Sequence, residues 1–237
     1  MRTIIEHELA GQMSASQTIG AHAAIETARP ADYEEILSFL RAANEEKLLP
    51  RPAGDYQRAI DSGLFCVARS AGRLIAVAGA FVLSDIEPIL IEMGSCYVAP
   101  AFRGFGLQKL LVRARIAAVV ALIDPDARIL AGITPQNLGS RASILKAGFE
   151  PLSAHERLLL ELCAYCAAKP AETSGRLCCC DFFHIPRERQ RSEIAALLRP
   201  GAARATRGSG EVLSVAMEID ALKPPHRAAL EAFAGQG

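Results

Sequence analysis

Two periods of apolar residues divide the chain. Leu64–Arg69 and Arg73–Leu83 are apolar, β-rich runs joined by Ser70-Ala71-Gly72, a length and composition that predict a hairpin. Ile89–Val98, reached through a turn at Ser84–Pro88, predicts a third strand. Upstream, His22–Arg29 reads as a strand ended by Pro30. Asp32, with Glu35 three residues on, predicts a reciprocally capped helix whose apolar face is Tyr33, Ile36, Leu37, Leu40 and Ala43. Pro50 and Pro52 break that pattern, and Asp55 is expected to cap a short helix through Ile60.

After Pro100 the period becomes helical. Leu107, Leu110, Leu111, Ala114 and Ala118 predict a long helix ending before Asp124-Pro125-Asp126. Ala127–Thr134 reads as a buried strand, Asn137–Lys146 as a helix stopped by Gly148, and Phe149–Ser153 as a short strand. Farther on, the expected elements are a helix at His155–Lys169, a strand at Arg176–His184 and a helix at Arg187–Leu198. A mobile loop at Gly201–Gly210 and a last strand at Val212–Ile219 follow. A meander that passes into βαβ units implies an α/β (α+β) fold, with a mixed, mostly antiparallel central sheet and helices on both faces. The expected division is an N-terminal extension at 1–21, a main domain at 22–185 and a C-terminal extension at 186–237.

Composition narrows the function classes. With 26 Lys+Arg against 26 Asp+Glu and 5% aromatic residues, the chain has neither the bulk positive charge nor the stacking surface that would point to nucleic acid. The longest apolar stretches, Leu74–Leu83 and Ile116–Ile123, are far shorter than the ~20 residues of a membrane helix. Glu6, His7 and Glu8 interrupt what would have to be a signal peptide's apolar core, so a soluble cytoplasmic protein is expected.

The stretch with the clearest chemistry runs from Cys96 to Leu111: a strand, a tight loop carrying Gly104 and Gly106, then a long helix. Such a junction aims unpaired N–H groups and the positive end of a helix dipole at one spot, where phosphates bind. Arg103 adds charge, and Lys109 and Arg113 follow on the helix. A Walker A loop is excluded because no Gly-Lys pair occurs, and a dinucleotide fingerprint would need glycine where Lys109 stands.

Arg103-Gly-Phe-Gly106-Leu-Gln108 resembles the pyrophosphate loop of the GNAT-type acyl-CoA N-acyltransferases, Gln/Arg-x-x-Gly-x-Gly/Ala, departing only at its last position. Val98-Ala-Pro100 leads into it in the family's manner, and Asn137-x-x-Ser140 through Lys146-x-Gly148-Phe149 is similar to the family's second signature. Arg29-Pro-Ala-Asp32 resembles its first strand-to-helix junction, so the likeness covers about 22–153.

The resemblance implies that acetyl-CoA, as co-substrate, lies between two splayed strands, Ile89–Val98 and Ala127–Thr134. Its pantetheine arm would bond backbone near Tyr97 and Val98, and its pyrophosphate the N–H groups of Arg103, Gly104, Phe105, Gly106, Leu107 and Gln108, with Asn137 on the arm. An amine would attack the thioester directly. Glu92 is the candidate base, because strand alternation puts it on one face with Gly94, Cys96 and Val98; Glu87, in the turn, ranks below it. The family's usual acid, a Tyr seven residues after the Asn, is Ile144 here, leaving Ser140, Ser143 and Tyr97 as substitutes.

Cys163-x-x-Cys166 and Cys178-Cys179-Cys180 with His184 have the composition of a zinc site, but their apolar contexts favour packing, so no metal is expected. The arginine-rich tail, Arg187 to Arg207, reads as a solvated surface or a contact to CoA's 3′-phosphate, an acidic substrate or a partner chain. The apolar Val212–Ile219 would complete the sheet or pair with a second copy in a homodimer. An enzyme acylating an amine is therefore expected. The alternatives are an acyl-CoA-binding sensor, for which Ile144 argues, and an interaction protein using the basic tail.

Overall fold

The described residues form a nine-stranded sheet whose order is β6-β7-β5-β4-β3-β2-β1-β9-β8. A computed structural model describes residues 22–43, 51–160, 180–199 and 203–236. The strands are β1 (His22–Thr27), β2 (Phe65–Ser70), β3 (Arg73–Ser84), β4 (Leu90–Val98), β5 (Arg128–Ile133), β6 (Glu150–Pro151), β7 (Asp181–His184), β8 (Ala203–Thr206) and β9 (Val212–Glu218). The helices are α1 (Tyr33–Ala42), α2 (Ala53–Asp61), α3 (Leu107–Leu122), α4 (Leu138–Lys146), α5 (Ala154–Leu159), α6 (Arg187–Leu198) and α7 (His226–Ala234). Only β4–β5 and β1–β9 pair in parallel; every other neighbour is antiparallel, so the sheet is mixed and mostly antiparallel as expected.

Helix α3 is the keel. Its buried residues include Leu107, Leu110, Leu111, Ala114, Ile116, Ala118 and Val120, which lie all round its axis. A helix apolar on every side needs cover on every side. β2, β3 and β4 lie against it, and α6 and α7 pack on it as well. Arg113 of α3 pairs with Glu193 of α6, which takes that cation away from the loop it follows. Helix α2 packs on β2 and β3 and alongside α1.

Several local expectations need correction. Gly201–Gly210 is not only a loop: β8 lies within it, held against β9. Its Ala-Arg-Ala-Thr sequence has little strand preference, so pairing rather than propensity sets its conformation. Asp32 and Glu35 do not cap one another. Arg29 N–H donates to Asp32 Oδ2 at 2.7 Å, and both carboxylates accept from Arg69, at 2.9 and 2.6 Å. Asp55 sits in the first turn of α2, after Pro52 at the cap. Helix α7 was not expected at all. The N-terminal extension, Cys163, Cys166, Cys178, Cys179 and most of the predicted helix at His155–Lys169 lie outside the described residues.

β9 joins the protein's own sheet, parallel to β1 over His22↔Ser214 to Glu26↔Glu218. The turn after it is clamped to the end of β1: Arg29 donates to both Asp220 oxygens, at 2.6 and 2.9 Å, and Lys223 donates at 2.7 Å. The Arg29 hydrogen bond holds the Asp220 carboxyl down at about 2. A carboxyl depressed on folding adds stability that is complete above its unfolded value, 3.8, and fades as pH falls toward about 2. Asp220→Asn is therefore expected to lower the melting temperature at pH 6, with the gap to wild type closing as pH falls through that window. Melts followed by circular dichroism check this, and a gap independent of pH would assign the loss to something other than the ion pair.

Candidate functional site

β4 and β5 pair for only three residues, Leu90↔Arg128 to Glu92↔Leu130, and then part. The cause lies on the other edge of β4. Between Val77↔Tyr97 and Gly79↔Gly94, two residues of β4 oppose one of β3, with Ser95 at φ 47°. Such a bulge bends its strand and leaves ladder groups unpaired. Arg115 of α3 fills the gap: its Nη1 donates to Gly79 O at 3.0 Å and Gly94 O at 3.5 Å, and its Nε to Leu111 O at 3.1 Å. This guanidinium is buried and satisfied by carbonyls, and burial lowers its pKa. Burial pushes the nearby Cys66 thiol up to about 12 and raises Cys96 too, so both stay protonated and are poor nucleophiles.

The bulge also changes which residues share a face. Ser95 Oγ lies 3.2 Å from Tyr56 Oη of α2, and the Tyr97 ring meets Phe39 of α1 edge-on at 5.4 Å. Cys96, between them, lies beside Arg115 on the α3 side. Glu92 thus shares its side with Ser95 and Tyr97, and the expected grouping with Cys96 and Val98 fails. Glu92 is mostly buried, with 12% of its side chain exposed, and accepts from Arg51 Nη2. Arg51 in turn lies 3.9 Å over the Phe81 ring, directly across the ladder from Glu92. Gly132 of β5 leaves room for the carboxylate, since a Cβ there would stand 3.1 Å from Glu92 Oε1.

The glycine loop takes the expected form. Gly104 and Gly106 have φ of 85° and 78°, a region that costs other residues. Arg103 N–H is used in the turn, donating to Pro100 O at 3.2 Å, which removes it from the expected donor set. Among the described residues, the N–H groups of Gly104, Phe105, Gly106, Leu107 and Gln108 donate to no backbone carbonyl. The loop's carbonyls are held from behind by Arg207, outside the recognised segment. Its Nε donates to Arg103 O at 3.0 Å, its Nη2 to Ala101 O, and its guanidinium covers the Phe105 ring at 4.4 Å. The Arg103 side chain folds back onto Val98 O at 3.0 Å and over the Tyr97 ring.

Two adjoining spaces result. An open cleft of about 570 Å³ is lined by Tyr97, Val98, Arg103, Gly104, Gly106, Leu107, Gln108, Lys109, Asn137, Ser140 and Lys146. A smaller cavity of about 90 Å³, in the β4–β5 gap, is lined by Arg51, Glu92, Ser95, Thr134 and Ile144. Cys96, Gln108, Asn137 and Ser140 line both. Five unengaged N–H groups, a helix N-terminus and two lysines suit a pyrophosphate-bearing ligand in the cleft.

Of the expected site residues, Glu92, Ser140, Gln108 and Asn137 converge on the cavity, whereas Tyr97 lines only the outer cleft. Asn137 also caps α4, accepting from Ser140 N–H at 3.2 Å. Phe105 is buried and serves through its backbone. Arg51, Arg115 and Arg207 were missed. Of these only Arg115 carries a sequence signal, a charge set among the apolar residues of a helix. Among the described residues, no group of three or more His, Cys, Asp or Glu could hold a metal ion, and no helix is long and apolar enough to cross a membrane.

A family model described as acetyltransferase (GNAT) family matches residues 32–149. The structure of Neisseria gonorrhoeae N-acetylglutamate synthase, complexed with coenzyme A and N-acetyl-glutamate, is similar at TM-score 0.52 and 20% identity over 69% of this chain. The match covers 34% of that protein, so this chain spans about a third of its length. A ribosomal-protein-alanine N-acetyltransferase from Brucella melitensis is similar at TM-score 0.46 and 20% identity, covering 68% of this chain and 96% of that one. A Streptococcus pneumoniae acetyltransferase of the GNAT family gives TM-score 0.48 and 12% identity, covering 69% and 99%. Among curated proteins, none matches this sequence.

Proposed function

Given that this chain belongs to the acetyltransferase (GNAT) family, we propose that it moves an acetyl or other short acyl group from acyl-CoA to an amine of a small molecule or protein. The observation that carries this reading is that the two spaces adjoin: the loop whose N–H groups donate to no backbone carbonyl lines a cleft that shares the walls Cys96, Gln108, Asn137 and Ser140 with the cavity holding buried Glu92.

In this reading the pyrophosphate lies on the N–H groups of Gly104 to Gln108, and the acyl end reaches the border that the cleft shares with the cavity in the gap between β4 and β5. Glu92 takes a proton from the bound ammonium. The freed nitrogen attacks the thioester carbonyl carbon, a backbone N–H near Val98 or a nearby side chain steadies the oxyanion, and the carbon–sulfur bond breaks. Ser140 borders both spaces and is better placed than Tyr97 to protonate the leaving thiolate.

Acetyl-CoA is expected to raise the melting temperature where NAD and ATP do not; ligand at 100 times its Kd adds about 2.7 kcal/mol. Thiol release on adding amines then tests turnover. Ile144, buried and lining the cavity where the family usually has Tyr, favours one second reading, a sensor that binds acyl-CoA without transfer. A thermal shift without thiol release from any amine would select that reading. No shift with any acyl-CoA at millimolar concentration would exclude both.

A further inference from the structure

We propose that Arg51 and Glu92 form a receptor for a zwitterionic acceptor, a small amine whose carboxylate sits on the carbon next to the nitrogen, as in free α-amino acids. This rests on the acyl-transfer reading and narrows its acceptor.

The pair is nearly enclosed, with 9% of the Arg51 side chain and 12% of the Glu92 side chain exposed. Arg51 is held from three sides: by Glu92, by the Phe81 ring, and by Gly94, where a Cβ would stand 3.0 Å from Nη2. Of its five donors, one is engaged by Glu92, and among the described residues the rest have no partner. A fixed, planar fork with donors to spare is matched by a carboxylate, which accepts two parallel bonds.

Charge balance points the same way. The cavity is lined by two cations, Arg51 and Arg115, and one anion, Glu92, and Arg115 is committed to backbone carbonyls, so the net charge is positive as it stands. A simple ammonium drawn to Glu92 would add a second uncompensated positive charge among mostly buried groups, which is costly. A zwitterion brings its own anion: the carboxylate goes to Arg51, the ammonium to Glu92, and the sum does not change. The amide of the same amino acid loses this compensation, as does a peptide N-terminus.

Space agrees as well. About 90 Å³ suits the amino and carboxylate groups of a small molecule and little more. Arg51 is also a wall of a second cavity of about 280 Å³, lined by Asp55, Arg58, Ala59, Leu64 and Leu83, where an acceptor side chain would extend. The reaction then balances: the ammonium gives one proton to Glu92, the nitrogen bonds the acyl carbon as the carbon–sulfur bond breaks, and the second proton leaves with the thiolate.

The test measures thiol release from acetyl-CoA with each of the common amino acids, their amides and their decarboxylated amines. At least one free amino acid is expected to exceed its amide and its amine by about a hundredfold or more in kcat/KM, since a polar site left unpaired rejects strongly. Arg51→Gln should collapse that ratio to within a few-fold, acting on the acceptor KM and leaving acetyl-CoA affinity unchanged. Arg51→Lys, which keeps the charge without the fork, should fall between, and it keeps the test open should the glutamine variant not fold. Amides or simple amines used as well as the acids, or a ratio indifferent to Arg51→Gln and Arg51→Lys, would overturn the proposal. So would turnover of other amines with no free amino acid accepted. Failure to bind acetyl-CoA, read by thermal shift, would instead remove the underlying transferase reading and this proposal with it.

Discussion

Glu92→Gln is expected to slow acyl transfer by about 10²–10⁴-fold at neutral pH while leaving acyl-CoA affinity nearly unchanged, the range that general-base catalysis contributes. Glutamine keeps the shape and one acceptor oxygen, so Arg51 retains a partner and Gly132 still accommodates the side chain. What it loses is the ability to take a proton. The variant should recover part of its rate as pH rises, because an amine that is already deprotonated needs no base, whereas a variant that merely misplaces the acceptor would stay slow at every pH. Rate–pH profiles of both proteins decide it. Near-wild-type activity at pH 7 would pass the role to water or another group.

Gly106→Val should abolish detectable acetyl-CoA binding, a loss of at least about a hundredfold, or ~2.7 kcal/mol. Gly106 sits at the start of α3 with φ 78°, and a Cβ placed there would meet nothing within 4 Å. The penalty is therefore conformational and not a collision within the protein. A β-branched residue resists the left-handed region, so the loop must turn its peptide units, and the row of N–H groups at Gly104 to Gln108 loses its common aim. Because the strain falls on one exposed loop position, the fold should survive with a somewhat lowered unliganded melting temperature. Arg103→Ala is the contrasting case. Its side chain is engaged with Val98 O and the Tyr97 ring, and an exposed ion pair contributes roughly 1 kcal/mol or less, so binding should weaken no more than about tenfold. Isothermal titration of the two variants compares them. If Arg103→Ala loses binding and Gly106→Val keeps it, this loop is not the phosphate cradle.

The parts of the site that were legible in the sequence are those written in local signals. Gly104 and Gly106 before a long apolar helix, and Asn137 before Ser140, mark turns and caps whose geometry depends on near neighbours. The order of strands and helices from β1 to β6 followed from period and punctuation in the same way. The bulge at Ser95 was not legible, because no proline or isolated charge marks it and Arg115, whose side chain fills it, comes from the next helix. A single added residue reversed the side-chain phase and misplaced Cys96 and Val98. Arg51 was missed because its partner stands 41 positions away. β8 was masked by weak propensity amid glycines, and its pairing with β9 decides the matter.

The parallel pairing of β1 with β9 joins residues that are nearly the whole described chain apart. Residues are synthesised from the N-terminus, so a nascent chain that has emerged through residue 199 holds the segment matched by the family model but not Arg207. Its Ala101 and Arg103 carbonyls then lack the guanidinium that holds them, and β1 has only β2 beside it. Distant closures also carry the largest entropic penalty. The glycine loop therefore acquires its backing late, once Arg207 has been made and β9 has closed on β1.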